Sequence, residues 1–283
     1  MLWKDIRFVL KYKLLFLDLD GTIVGKNDSI SPRTLQAIAS AEEMGCLPVL
    51  CTGRSRYTSK AIVNKIGKGY GIFLNGTIIA KVHDEGYIEK ITLPLDIARR
   101  AVQIAHSCEL APLLFAVEED DRWVYTDRPC PAPPDYLKRF PERMRIVDDL
   151  AVNLLSPPVS IETYGPAEAT ISMTSQWREE FGDEALIYEW EQGDYGGRGA
   201  HLQSSRAHKA SAAQKVADLL KIPREQAIAI GDQINDMELL QWAGLGISMG
   251  DGHEEIRAAA DFVTSSFAND GAAIAIEHFV FES

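Results

Sequence analysis

The sequence predicts an α/β protein, with a parallel sheet between helices and an inserted α+β module. Short apolar runs alternate with amphipathic stretches from residue 13 to about 76 and again after residue 203, which is typical of βα units. The residues between them follow a different order of hairpins and helices. The 283 residues are enough to bury a core of this size.

The first part of the chain has a β-α-β-α-β succession, which implies a parallel sheet with helices on its faces. Ser31 can cap a helix whose first turn suits Pro32, and Gly45 is a suitable helix end. The predicted elements are a strand at 13–17, a helix from Ser31 to Gly45, a strand at 47–51, a helix to about Ile66 and a strand at 71–74.

The middle part, residues 82–203, is predicted to be an inserted α+β domain, and residues 1–81 and 204–283 form the two parts of the core domain. Side chains alternate over 122–126, as in a strand with two covered faces, and Ile161 and Thr163 indicate another strand. The stretch 129–134 is a proline-rich loop, and the glycines of 193–199 mark a hairpin turn. Two helical stripes are Ile97, Ala101, Ile104 and Cys108, and Ala169, Met173, Trp177 and Phe181.

After residue 203 the βα pattern returns, so the chain leaves one α/β domain and comes back to it. Ala212, Val216 and Leu219 form a helical stripe. The remaining predicted elements are a strand at 227–230, a helix near 236–242, a strand near 245–247, a helix near 254–260 and a last helix after Gly271.

Composition narrows the class of partner. The formal net charge of −12 argues against binding nucleic acid or an anionic membrane, because both need a basic face. Residues 1–10 lack the apolar stretch of a secretory signal, and no apolar run approaches the roughly 18 residues of a membrane helix. Four scattered cysteines fit reduced thiols. We expect a cytoplasmic protein, monomeric or homodimeric.

Two aspartates follow the first predicted strand. Alternation along an extended chain sends Asp18 and Asp20 the same way, and ligands of open parallel sheets bind beyond the carboxyl ends of the strands. Two close carboxylates repel each other unless a cation lies between them. Mg²⁺ suits this position, because it prefers hard oxygen ligands near phosphates.

Three further motifs lie at strand ends or helix starts. Gly231-Asp232 and the nearby Asn235 and Asp236 add carboxylates and an amide. Thr52-Gly53-Arg54 opens a helix, where a hydroxyl and backbone N–H groups can hold a phosphate. Lys209 begins the helix after the insertion and could neutralise a phosphate oxygen. Each motif is weak alone, and the prediction depends on the four occurring in this order.

The ordered set resembles the haloacid dehalogenase (HAD) superfamily of phosphohydrolases, and within it the Cof-type (class IIB) branch, whose cap follows the third core strand. The resemblance implies a Rossmann-like core with an inserted α+β cap. The matching stretches are DLDGT at 18–22, CTGRS at 51–55, FLNGT at 73–77, HKA at 208–210, GDQINDMELL at 231–240, SMGDGHEEIRAAADFVT at 248–264 and NDG at 269–271.

The resemblance also implies roles. Asp18 would be the nucleophile that becomes an aspartyl-phosphate, and Asp20 the general acid and base. The Asp18 side chain, the Asp20 carbonyl and Asp232 would bind Mg²⁺, and Asp236 would orient a metal-bound water or hold Lys209. The groups that would hold the phosphoryl oxygens are Thr52, Gly53, Lys209 and Asn235.

Two positions depart from the family pattern. Ala210 stands where glycine usually follows the motif lysine. Asp251-Gly252 replaces the commoner Asn-Ala, and Asp251 either adds charge near the site or, as we favour, caps the following helix. The chain also has roughly a dozen residues before the first strand, more than the family usually has.

The predicted function is a phosphatase of a small phosphorylated metabolite, with a sugar phosphate suggested only by what the branch commonly does. A phosphomutase with the same nucleophile, or a non-catalytic binder of a phosphometabolite, are the alternatives. His208 is interpreted as a surface histidine and 118–121 as a solvated acidic turn. Arg122, Tyr125 and Arg128 could line the inner face of the cap.

Overall fold

The computed structural model describes residues 10–66, 69–84, 86–115, 122–130, 138–192 and 197–282. The strands are β1 (Leu14–Asp18), β2 (Leu47–Cys51), β3 (Tyr70–Phe73), β4 (Ile78–Lys81), β5 (Glu89–Lys90), β6 (Leu113–Phe115), β7 (Val124–Thr126), β8 (Met144–Ile146), β9 (Ser160–Pro166), β10 (Ala185–Gln192), β11 (Gly197–Ser204), β12 (Ala227–Gly231), β13 (Leu245–Ser248) and β14 (Phe262–Val263). The α-helices are α1 (Pro32–Met44), α2 (Arg56–Ile66), α3 (Leu95–Ser107), α4 (Leu150–Asn153), α5 (Ala167–Phe181), α6 (Lys209–Leu220), α7 (Met237–Trp242), α8 (Glu254–Ala259) and α9 (Gly271–Ile276).

The first sheet has the order β14-β13-β12-β1-β2-β3-β4-β5. Its strands are parallel from β14 to β3, whereas β4 and β5 pair antiparallel at one edge. β1 lies between β2 and β12 and is buried along its whole length, as the central strand of a sheet between helices must be. The carboxyl ends of β12, β1, β2 and β3 therefore meet at one edge of the sheet.

The second sheet has the order β10-β11-β9-β6-β7-β8 and is antiparallel except for β7 and β8. Side chains on one of its faces, such as Ile161 and Leu202, pack with Ile97 of α3 and Trp177 of α5. Buried apolar side chains on its other face pack in the same hydrophobic cluster as those of the first sheet. We call this second unit the cap, and this second face the inner face of the cap.

The α/β core and the inserted α+β unit confirm the predicted fold class. Helix α1 begins as predicted, because Ser31 Oγ accepts the Thr34 N–H at 3.1 Å, and it ends at Gly45 in a left-handed conformation. Residues 185–192 pair antiparallel with 197–204, and Gly197 and Gly199 lie in β11 rather than in the hairpin turn predicted at 193–199. None of the helices within the described ranges is long and apolar enough to span a lipid bilayer.

Some predicted boundaries shift. The first strand is Leu14–Asp18 rather than 13–17, and the strand over 122–126 shortens to Val124–Thr126. The domain boundaries at 81/82 and 203/204 stay predictions, and the pairing of Glu89–Lys90 with β4 favours a first boundary nearer to residue 90. The acidic run 118–121, most of the proline-rich loop and residues 193–196 lie outside the described residues.

Candidate active site

A buried ion-pair cluster lies at the carboxyl edge of the first sheet. Asp18 is the last residue of β1, and its Oδ1 accepts from Lys209 Nζ at 2.6 Å. The same ammonium donates to Asp236 Oδ1, also at 2.6 Å. Lys209 is 1% exposed and Asp236 fully buried. Asp236 thus contacts Lys209 directly, and both of its predicted roles stay predictions.

Asp232 completes this cluster from the end of β12. Its two carboxylate oxygens accept from Thr22 Oγ1 and Gln233 Nε2, each at 2.9 Å. Gly21 passes so close that a Cβ there would lie 2.5 Å from Asp232 Oδ2, and its φ of +84° also requires glycine. Glycine at position 21 therefore permits both the turn after β1 and the close contact with Asp232.

The cluster holds more negative charge than Lys209 balances. Ligand oxygens of Asp18, Asp232 and Asp236 all lie within 4.8 Å of one another. Burial and repulsion by Asp236 raise the pKa of Asp232 to about 6, and burial with the same neighbour raises the pKa of Asp18 well above its ordinary value. Burial acts to lower the pKa of Lys209, but the two adjacent carboxylates outweigh it and the pKa is raised.

Asp20 does not belong to this acid cluster. Its carboxylate is paired with the guanidinium of Arg54, with Arg54 Nε donating to Asp20 Oδ2 at 2.7 Å and Nη2 to Oδ1. Arg54 Nη1 also donates to Asp28 at 2.7 Å. The expectation that the Asp18 and Asp20 carboxylates share one cation is therefore wrong for the Asp20 side chain, because Arg54 competes for it. The expected contribution of the Asp20 carbonyl stays a prediction.

A cavity of about 320 Å³ opens beside the cluster. Five of the predicted site residues line it: Asp18, Asp20, Thr52, Gly53 and Asn235. Lys209, Asp232 and Asp236 lie in the buried cluster behind Asp18 and do not line the cavity. Lys209 bonds Asp18 and Asp236, and its predicted role in holding the phosphoryl oxygens, like the roles assigned to the other residues, stays a prediction.

Asn75, in the FLNGT stretch at 73–77, lines the cavity although no role was predicted for it. It follows β3 in a left-handed conformation, and its Oδ1 accepts from Asn235 Nδ2 at 2.9 Å. A Cβ at Gly53 would lie 3.1 Å from the same Oδ1, so the three groups are in close contact. The signal in the sequence was the Asn-Gly pair just past a predicted strand.

The cap contributes residues that no motif predicted. Glu162 of β9 and His201 of β11 line the cavity from the inner face of the cap, together with Phe115, Arg143 and Trp190. Arg143 is fully buried and joins the cap to the core, because its Nη2 donates to Ser55 Oγ at 3.0 Å. For Glu162, Trp190 and His201, only the alternation along β9, β10 and β11 could have indicated these positions.

His208 agrees with its interpretation as a surface histidine, because it is a partly exposed N-cap of α6, with Nδ1 accepting the Ser211 N–H, and does not line the cavity. Two minor predictions are wrong. Asp251 accepts the Phe267 N–H at 3.0 Å, so it connects two loops and does not cap α8. The N-cap of α8 is His253. Arg122, Tyr125 and Arg128 do not line the cavity.

Comparison with known proteins agrees with this geometry. The profile of the haloacid dehalogenase-like hydrolases matches residues 15–276. The 5-amino-6-(5-phospho-D-ribitylamino)uracil phosphatase YitU of Bacillus subtilis is 27% identical over 264 residues, which covers 92% of this chain and 94% of YitU.

Solved structures give the same fold. A haloacid dehalogenase-like hydrolase from Bacteroides thetaiotaomicron is 25% identical and superimposes with a TM-score of 0.80, covering 95% of this chain and 99% of that one. The HAD subclass IIB sugar phosphatase BT4131 is 21% identical, with a TM-score of 0.76, and covers 94% and 98%.

Motif order, fold, acid cluster and cavity all fit one family, and the phosphatases of this family generally use a divalent metal ion. Phosphatase relatives matched along nearly their whole length indicate that the substrate is a phosphorylated small molecule. The chain belongs to the haloacid dehalogenase-like hydrolases and is a Cof-type phosphoric monoester hydrolase.

Proposed function

We propose that the chain is a Mg²⁺-dependent phosphatase of sugar phosphates that works through an aspartyl-phosphate at Asp18. The observation that carries the proposal is the position of Asp18, which lies both in the acid cluster and in the wall of the cavity. A carboxylate so placed can reach a phosphoryl group in the cavity while a bound cation screens their mutual repulsion.

The donor set fits a divalent cation. Three buried carboxylates lie together, only two of them are bonded to the Lys209 ammonium, and the cluster offers only oxygen ligands, which suits Mg²⁺. Asp18 and Asp232 would hold the ion with the Asp20 carbonyl. Asp236 would act indirectly, because its oxygens are engaged by Lys209 and by the N–H groups of Asp232 and Gln233. When bound, the cation would neutralise charge on the phosphoryl oxygens.

In the first step a carboxylate oxygen of Asp18 attacks phosphorus, and the bond from phosphorus to the leaving oxygen breaks. Asp20 gives that oxygen a proton. Lys209 holds the Asp18 carboxylate in place from behind. The Thr52 hydroxyl, the backbone at Gly53 and the Asn235 amide are the groups beside the cavity that orient the phosphoryl group.

In the second step water attacks the phosphorus of the aspartyl-phosphate and gives a proton to Asp20, which releases phosphate and restores Asp18. Arg54 is a positioning residue for both steps, because it holds the Asp20 carboxylate at the edge of the cavity. Transfer of a proton requires that one Asp20 oxygen leaves Arg54 when the substrate binds.

The size of the cavity and its cover favour a small substrate. About 320 Å³ between core and cap accommodates a metabolite and not a polymer. The phosphate of the YitU substrate is carried by a ribityl chain, as its name states, and BT4131 is a sugar phosphatase. These names support a sugar or polyol phosphate for this chain.

The test is trapping of the intermediate. The protein is mixed with acetyl phosphate and Mg²⁺, quenched in acid and digested, and the mass of the peptide containing Asp18 is measured by mass spectrometry. We expect the added mass of one phosphoryl group on this peptide, and none in Asp18→Asn or after removal of Mg²⁺ by chelation. Full turnover by Asp18→Asn would contradict the proposed nucleophile.

A further inference from the structure

The inner face of the cap carries a buried carboxylate that the phosphoryl-transfer chemistry does not use. Glu162 of β9 lies directly opposite His201 of β11 in the antiparallel register. Glu162 is 6% exposed and His201 1% exposed, yet both line the cavity. A buried carboxylate is costly unless it is hydrogen-bonded or meets a ligand.

The orientation of Glu162 is fixed by its neighbours. Tyr164 donates its hydroxyl proton to Glu162 Oε2 at 2.6 Å, and His201 Nδ1 lies 3.2 Å from Oε1. His201 Nε2 is 2.7 Å from Gln203 Oε1, and Gln203 Nε2 donates to the Asn75 carbonyl at 3.2 Å. This chain of bonds links the carboxylate to the core beside Asn235, so its position relative to the phosphate site is set.

An aromatic surface lies beside this carboxylate. Trp190 of β10 pairs with Gly199 of β11, where a Cβ would overlap the indole, so glycine lets the ring lie over the strand. Tyr164 and Trp190 pack in a T-shaped pair, with ring centroids 5.7 Å apart and planes at 71°. Trp190 lines the cavity and keeps 36% of its surface exposed.

The carboxylate of Glu162 and the neighbouring ring of Trp190 together favour one kind of ligand. The carboxylate accepts hydrogen bonds from hydroxyl groups, and the indole face packs against the C–H surface of a ring. A second anionic group on the substrate would be repelled by Glu162. The nearby guanidinium of Arg143 is held by the Arg122 carbonyl at 2.7 Å and by Ser55.

We propose that Glu162 and Trp190 form the subsite that selects the leaving group, and that it takes the uncharged, hydroxyl-bearing ring of a sugar monophosphate. This assignment rests on the proposed function, because it places the phosphoryl group against Asp18. Tyr164 and His201 are positioning residues, and Glu162 and Trp190 contact the substrate.

The experiment compares two kinds of substrate in the full chain with Mg²⁺. Acetyl phosphate reports the core chemistry alone, because its leaving group has neither hydroxyls nor a ring. The second substrate is the fastest of glucose, mannose and fructose 6-phosphates and ribose 5-phosphate. The variants are Glu162→Gln and Trp190→Ala. The control is Glu189→Gln, a cap-sheet carboxylate that accepts from Arg178 at 2.5 Å and does not line the cavity.

We expect Glu162→Gln and Trp190→Ala each to lower kcat/KM for the sugar phosphate by about tenfold or more, with acetyl phosphate turnover within about twofold of wild type. The control should change neither value. Trp190→Phe, which keeps a ring over Gly199, should restore most of the sugar phosphate activity.

Other results decide against the proposal. Equal losses for both substrates would show that the two residues only support the fold, and an unchanged ratio would show that they do not touch the leaving group. If wild type hydrolyses acetyl phosphate but none of the sugars, this subsite is wrong and the phosphatase mechanism stands. If it hydrolyses neither, the proposed function itself fails.

Discussion

The two walls of the cavity are built in different ways. The core wall consists of residues at or just past the ends of parallel strands, where neighbouring strands bring Asp18, Thr52 and Asn75 together. The cap wall consists of alternate residues in the middle of antiparallel strands, such as Glu162 and His201. The core wall is held in place by turns and by buried charged side chains. In the cap wall, by contrast, one side chain can be substituted without altering its neighbours.

This difference separates chemistry from selection. Changes in the core wall should affect every phosphorylated substrate alike, because the phosphoryl group is common to all of them. Changes in the cap wall should affect substrates according to their leaving groups. The following predictions test this separation.

Asp18→Asn should have the largest effect. We expect turnover of acetyl phosphate and of sugar phosphates to fall together by about 10⁴-fold or more, because the nucleophile is lost. Steady-state phosphate release measures this, with the exposed Asp183→Asn as control. A loss confined to one of the two substrates would break the separation.

Lys209→Met should destabilise the fold. It leaves Asp18 and Asp236 buried without their common ammonium, which costs about 3–5 kcal/mol. Urea unfolding without Mg²⁺ measures the loss, and Mg²⁺ should recover part of it. Lys215→Met is the matched control on the same helix, because Lys215 is half exposed and should contribute about 0–1 kcal/mol. Equal free energies of unfolding for the two variants would contradict the claim that Lys209 stabilises the buried carboxylates.

Arg54→Met should lower kcat by about 10²-fold for both kinds of substrate, because Asp20 loses the group that positions it for proton transfer. Steady-state kinetics separates kcat from KM. If KM rises while kcat is unchanged, Arg54 binds the substrate and does not position Asp20.

The effect of pH should be smaller. The folded pKa of Asp232, about 6, lies above its ordinary value of 3.8. The folded state therefore binds more protons between these values, and the metal-free protein loses stability as pH rises through this window. Mg²⁺ requires the ionised form of Asp232, so the rise in Tm on adding Mg²⁺ should be larger at about pH 7 than at about pH 5. Each kcal/mol of extra stabilisation corresponds to a rise in Tm of roughly 2–4 °C. Differential scanning calorimetry checks this, and Asp232→Asn should lose most of the difference.

Sequence reasoning predicted the core wall better than the cap wall for a physical reason. Asp18, Thr52 and Asp232 follow apolar runs that can only be buried strands, so their convergence follows from the topology of a parallel sheet. Their bonds were less predictable: Arg54 takes the Asp20 carboxylate, and this depends on the path of the loop around Asp28.

The cap wall could not be predicted in the same way. Glu162 and His201 are 39 residues apart in sequence, and only the register of β9 with β11 makes them neighbours. Arg122, Tyr125 and Arg128 lie in or beside β7, but none of them lines the cavity. Side-chain alternation gives two faces of a strand without telling which one meets the core.

The most direct test of the account is titration of the metal-free protein with Mg²⁺ by isothermal calorimetry at about pH 7. We expect one site in wild type, affinity reduced by about tenfold or more in Asp232→Asn, and nearly unchanged affinity in Asp20→Asn, whose carboxylate pairs with Arg54. Wild-type affinity in Asp232→Asn, or an equal loss in both variants, would contradict a metal site formed by Asp18 and Asp232.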